Sequence, residues 1–248
     1  MIRAFLTFVA MMAMTGMAYA QQQLQLPGDL LNAPIDGSVA SWIIRTFGLL
    51  TVLSVAPGIL IMVTSFPRFV IAFSILRSGM GLATTPSNMI LVSLALFMTF
   101  YVMAPTFDRA WQNGVEPLIA NQIDEGEAAR RIAVPFREFM VANTRDKDLE
   151  LFISLAEERG QTVVENNVAD LRVVIPAFMI SEIRRGFEIG FLVVLPFLVI
   201  DMIVATITMA MGMMMLPPTS ISLPFKILFF VLIDGWNLLV GSLVRSFS

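Results

Sequence analysis

The sequence predicts an all-α membrane protein built from apolar helical hairpins around a polar helical middle. Three observations predict it. Of the 248 residues, 57% are hydrophobic and 14% charged, against about 45–50% and about 25% in ordinary soluble domains. Uncharged runs long enough to span a bilayer lie on both sides of a segment, Asp108 to Glu188, that carries most of the charge. Inside that segment apolar residues recur at helical spacing.

Composition also narrows the chemistry. The chain has no cysteine, so it has neither disulfides nor thiol reactivity. It has no histidine, which removes the commonest general base and metal ligand. A net charge of -3 leaves no basic surface for nucleic acid. No cofactor is expected, and the residues point to no enzyme.

Residues 1–20 read as a secretory signal peptide. Arg3 gives a positive start, Ala4 to Met14 an apolar core, and Ala18-Tyr19-Ala20 a cleavage site after Ala20. The apolar core is shorter than the roughly 20 residues a spanning helix needs. Residues 21–41 contain Pro27, Gly28, Pro34 and Gly37 and read as an irregular lead-in.

Residues 42–107 form a first apolar helical pair. Trp42 to Thr64 is long enough to span, and Trp42 and Arg45 suit the interface. Pro57-Gly58 predicts a kink. A short helix follows from Phe69 to near Arg77, then a turn-rich linker through Gly79, Gly81, Thr84, Thr85 and Pro86. Met89 to Phe107 is the second candidate span. The connection carries Arg68 and Arg77 and no acid, so the positive-inside rule places it in the cytoplasm.

That topology puts the polar middle, residues 108–187, on the periplasmic side. Two helices are expected there. In Glu127 to Asn143, residues Ile132, Phe136, Phe139 and Met140 share a side, and Glu127 stands four residues before Arg131. Asp148 to Glu158 repeats the pattern, with Asp146 as cap and Gly160 as stop. These charges read as solvated faces.

Residues 188–248 form a second apolar hairpin. One helix is expected from about Glu188 to Met211 and another from about Leu223 to Val244. Between them lies a methionine-rich break: Met209, Met211, Met213, Met214 and Met215, with Gly212 as a bend and Pro217-Pro218 as a turn. Proline cannot continue a regular helix, and methionine side chains fit irregular gaps. The stretch therefore reads either as a soft core turn or as a compressible seal. Asp201, Lys226 and Asp234 are ionisable groups in apolar surroundings, where a charge needs a partner. An ion pair of Lys226 with Asp201 or Asp234 is the favoured reading. A catalytic pair of aspartates is disfavoured, because no glycine precedes Asp234 and Lys226 is available for neutralisation.

Several long motifs now stand in order: Leu94-Ala-Leu-Phe-Met-Thr-Phe100, Pro135-Phe-Arg-Glu-Phe-Met140, Ile175-Pro-Ala-Phe-Met-Ile-Ser-Glu182 and Phe187-Glu-Ile-Gly-Phe191. At the C-terminal end come Met213-Met-Met-Leu-Pro-Pro-Thr219, Leu223-Pro-Phe-Lys226 and Val231-Leu-Ile-Asp-Gly-Trp-Asn-Leu-Leu-Val-Gly-Ser-Leu243. Together they resemble the FliP family of flagellar biosynthetic proteins, part of the type III secretion export gate. The resemblance covers about Gly48 to Phe247. It implies an all-helical subunit in a pentameric ring, a homo-oligomer in the bacterial inner membrane at the flagellar basal body. It also implies FliQ, FliR and FlhB as partners, unfolded flagellar subunits as the exported substrate, and Met213, Met214 and Met215 as a pore gasket. Virulence secretion systems have a related subunit, and a signal peptide favours the flagellar branch. A small-molecule or ion transporter is the alternative from a different class.

Overall fold

The computed structural model describes residues 46–247 apart from 49, 52–53, 56–57, 161–163, 166–167 and 213–216. The expected signal peptide with Ala20, the lead-in, and Met213, Met214 and Met215 lie outside the described residues. So does much of the expected span from Trp42.

The described chain is all-α apart from one small ribbon. After a helical stretch at residues 58–62 come α1 (Phe66–Gly79) and α2 (Asn88–Ala110). A π-helical turn at Trp111–Val115 leads into the short α3 (Glu116–Ile119). The polar middle supplies α4 (Glu125–Asn143) and α5 (Asp146–Glu157). Val164–Glu165 then pairs antiparallel with Val168–Ala169. The chain ends with α6 (Leu171–Ala210), α7 (Pro218–Leu232) and α8 (Gly235–Arg245). Among the described residues two helical stretches are long and apolar enough to cross a membrane, Asn88–Ile119 and Leu171–Ala210, and α7 with α8 makes a third if the bent pair is one span.

Helix ends follow local chemistry. Asp124 caps α4 by accepting from the Glu127 amide at 2.6 Å. Asp170 caps α6 through the Arg172 amide at 3.0 Å. Glu127 and Arg131 pair at 2.8 Å along α4. Asp146 differs from its expected role. It lies in the first turn of α5, with Arg145 at the cap position and no side-chain capping bond.

The largest departure from the sequence expectation is α6. The sequence reading starts this helix at about Glu188, after the charged stretch from Glu182. Instead α6 runs unbroken for 40 residues, about 60 Å at the usual rise and about twice the hydrocarbon thickness of a bilayer. Gly186 alone in that charged stretch disfavours a helix, by about 1 kcal/mol, and Glu182, Arg184 and Glu188 each have a charged partner. Arg184 pairs with Glu188 at 2.7 Å on the exposed side, and Glu182 turns inward to Arg68.

The core forms where α1 lies along α6. Gly186 of α6 faces Ile71, Gly190 faces Ile75, and Gly79 of α1 faces Val194. The contacts advance in step along both helices, so the two run parallel. A Cβ on Gly190 would come within 3.0 Å of the Ile75 side chain, and one on Gly79 within 2.4 Å of Val194. Small residues let the two backbones approach this closely. Phe69, Phe73, Leu76, Val194 and Phe197 are buried around the crossing. Leu239 and Leu243 of α8 complete this core. A second cluster, Val63, Met140, Val174 and Phe178, joins α4 to the start of α6.

Arg68 and Glu182 are both wholly buried, with side chains 0% exposed. The Arg68 Nε donates to Glu182 Oε2 at 2.9 Å and its Nη2 donates to Oε1, a two-pronged pair. Arg68, read from the sequence as a loop charge, is thus an internal group, and only Arg77 of the two reaches the surface.

The polar middle is tied to α6 beside this pair. Ser181 Oγ donates to Asp148 Oδ2 at 2.6 Å and accepts from the Arg145 amide at 3.2 Å. The Arg145 guanidinium grips the same carboxylate at 2.7–2.9 Å. Burial alone would push the Asp148 carboxyl up. The bonds from Ser181 and Arg145, with the charges of Arg145 and Arg184, outweigh burial and hold it below the usual carboxylate range.

Two outcomes are expected. Glu182→Gln leaves a buried guanidinium without its counter-charge, so stability should fall by about 3–5 kcal/mol. Thermal unfolding of the detergent-solubilised protein measures this, and a change under about 1 kcal/mol would contradict the assignment. The stability from Asp148 is present above the unfolded carboxyl value of about 3.9 and lost as pH falls through the lower folded value. Asp148→Asn should therefore be less stable than the wild type at neutral pH. The two melting curves should converge as pH drops below about 4.

Candidate functional site: the stapled α6–α7 hairpin

The methionine-rich break sits between two legs, the end of α6 and the start of α7. Met211 follows α6, and its amide donates to Ile207 O at 3.0 Å. Gly212 has φ +74, and its amide donates to Met209 O at 3.0 Å. A positive φ at this position turns the chain away from the helix axis and favours glycine. On the far side Pro217 is extended, at φ -66 and ψ 120, and Pro218 opens α7. Proline suits that position because its missing N–H would have no helical partner. The sequence thus stops one helix and starts the next within a few residues.

A charged network joins the two legs to α1. Lys226 Nζ on α7 lies 2.5 Å from Asp201 Oδ2 on α6. Ser222, one turn earlier on α7, donates its Oγ to Asp201 Oδ1 at 2.6 Å. Lys226 also donates to the carbonyl of Gly79 at 3.1 Å. Gly79 is the last residue of α1, so the ammonium sits at the negative end of that helix. One cation therefore pins three helices. Its side chain is 5% exposed, while that of Asp201 is 30% exposed.

Asp234 takes no part in this network. It is exposed, has φ 51, and precedes α8 at a break that bends α7 and α8 by 63°. The helix expected from about Leu223 to Val244 is therefore two. Phe230 and Trp236 meet edge to face across the break at 5.4 Å. Gly235 lies against the Phe230 ring with no room for a Cβ. Asp201 is committed to Lys226 and Ser222, so the two aspartates do not form an acid–base pair. Among the described residues no group of three or more acidic side chains could hold a metal ion.

Between the legs lies an apolar cleft of about 540 Å³. Ile203, Ile207, Met211, Ile221 and Phe225 line it, among others. Thr208 also borders it and turns its hydroxyl back to Val204 O at 2.9 Å. The hairpin thus pairs a polar staple with an apolar cleft that reaches Met211.

Sequence reasoning missed two parts of this arrangement. Ser222 and the Gly79 carbonyl carry no signal of their own in an apolar run. The Arg68–Glu182 pair joins positions 68 and 182, and only the acid's place in an apolar helix hinted at a partner.

Comparison with known proteins adds independent findings. The FliP family model matches residues 49–243. The flagellar biosynthetic protein FliP of Rhizobium meliloti is 80% identical over 98% of both chains. That of Agrobacterium fabrum is 77% identical over the whole of both. The Bacillus subtilis protein of the same name is 48% identical over 86% of this chain and 95% of its own.

The burial difference within the staple sets an order of effects. Asp201→Asn strands a nearly buried ammonium and should cost about 3 kcal/mol or more. Lys226→Met leaves a carboxylate that keeps Ser222 and reaches water, and should cost about 1–2 kcal/mol. Melting temperatures of the two purified variants test this, and the reverse order would count against the network as described.

Proposed function

The chain belongs to the FliP family, the flagellar biosynthesis proteins, and on that premise we propose that it is a pore-forming subunit of the flagellar type III protein export gate. In this reading it sits in the bacterial inner membrane at the flagellar basal body. Several copies, five by the family resemblance, form a ring completed by FliQ and FliR and contacted by FlhB. Unfolded flagellar subunits pass through it. The subunit is structural and has no catalytic step of its own.

The observation that carries the reading is the stapled hairpin. A seal must deform while its frame stays still. Lys226, Asp201 and Ser222 fix both legs, while Met213, Met214 and Met215 stand between them with unbranched, polarizable side chains. A ring of such residues excludes water and ions yet conforms to polypeptides of varied shape. The fully matched Arg68–Glu182 pair supports the same reading, because it fixes α6, and with it one leg of the hairpin, along α1.

The flagellar reading is preferred to a virulence secretion subunit because the relatives compared are flagellar proteins by name. A transporter reading has one observation in its favour, the 63° break between α7 and α8, since transporters bind substrate at broken helices. Size separates the two. A gate subunit should purify in a large assembly with unlike partners, and a transporter as a small oligomer alone.

The decisive experiment changes Met213, Met214 and Met215 together to Ala and reads ion leak across the inner membrane alongside motility. The expected outcome is an assembled gate that leaks ions. An assembled gate that stays tight and exports normally would move the seal to a partner and leave the methionines as a packed turn.

A further inference from the structure

The last helix is held at its two ends in different ways. At its start, Asp234 adopts φ 51, a backbone state unusual for a residue other than glycine. Its side chain is exposed, makes no capping bond, and has no ion partner among the described residues. At its end, Arg68 Nη1 donates to Ser246 O at 3.0 Å and to Ser246 Oγ at 2.6 Å. Arg185 Nη1 reaches the same carbonyl at 3.4 Å. Phe247 lies under the Arg68 guanidinium, 3.5 Å from the ring centroid. It stacks on Phe69 of α1 and on Phe139 of α4, both at 5.9 Å. Ser246 and Phe247 thus touch both apolar clusters, the α1–α6–α8 core and the α4–α6 cluster through Phe139.

We infer that α8 is a strap, hinged at Asp234–Gly235 and latched at Ser246–Phe247, that joins the C-terminal hairpin to the polar middle and can release. Two physical arguments carry this. Arg68 divides its donors: Nε and Nη2 stay on Glu182, while only Nη1 serves the latch. Opening the latch therefore does not strand a buried charge. The inner face of α8 is apolar, with Leu239 and Leu243 buried. In an apolar bilayer those side chains lose little by moving from protein to lipid, because lipid tails are as apolar as leucine. The bonds to Ser246 and the close stacking of Phe247, rather than the hydrophobic effect, then decide whether α8 stays down. This inference does not rest on the pore reading, and its test does not use export.

The chain has no native cysteine, so spin labels can be placed cleanly at Val141→Cys and Arg245→Cys. Both positions are exposed, on α4 and at the end of α8. Double electron–electron resonance on the full-length protein in membranes, with labelled chains diluted in unlabelled ones so that only the separation within one chain is read, measures their distance. The background carrying only the label sites should give one short distance. Phe247→Ala, and the milder Ser246→Ala that keeps every buried apolar contact, should add a second, longer population. A longer population in either variant supports the strap. A single unchanged distance in both overturns it.

Discussion

A bidentate pair of wholly buried charges, Arg68 and Glu182, is the constraint from which the rest of the structure follows. Neither group can be left alone in an apolar interior, since an unpaired buried charge costs several kcal/mol. The pair therefore admits one alignment of α1 along α6. Once it forms, Ile71 meets Gly186, Ile75 meets Gly190 and Val194 meets Gly79. A slide of one residue would put a side chain where only glycine fits and would separate the charges. The pair contributes register more than net stability, and the close apolar contact it aligns supplies the packing.

That alignment organises the surrounding elements. Ser181, beside Glu182, takes the Asp148–Arg145 pair and so positions α5 against α6. The free arm of Arg68 takes Ser246 and so positions the end of α8. Further along α6, Asp201 takes Lys226, whose second bond returns to the end of α1. Polar contacts at two levels of one long helix, Ser181–Glu182 and Asp201, thus locate the polar middle, the strap and the hairpin. Between those levels the packing is aromatic and aliphatic, with Phe197 against Phe229 and Phe230 at 6.1 Å. Such contacts are strong but indifferent to small shifts, so the polar points do the indexing.

The division between fixed and soft parts bears on function. A gate for unfolded chains must accept many sequences and still hold back ions. In the proposed gate the stapled legs are the fixed part, and their charges are compatible with an apolar environment because they satisfy one another. The same logic applies to the proposed strap, where a few polar bonds and one stacked ring hold an apolar helix at one end.

Much of this was legible in the sequence. Composition and apolar run length determined an all-α membrane protein, because a chain so poor in charge must satisfy its backbone within helices. Proline and glycine determined where the hairpin turns, since Pro217, Pro218 and Gly212 act through local backbone geometry alone. Ordered motifs determined the family. The sequence also narrowed the partner of Lys226 to Asp201 or Asp234, and only the tertiary structure chose Asp201, by placing α7 beside α6 and turning Asp234 outward. It alone decided that α6 continues through Glu182 to Glu188, because Arg68, more than a hundred positions away, matches the charge that reads locally as an interruption. It alone decided the buried face of α6, whose apolar residues are spread around every side, so that hydrophobicity carries no direction there and the Arg68–Glu182 pair with the close fit of Gly186 and Gly190 to α1 supplies one. Local rules set the elements, and charge neutrality across distant segments set how they meet.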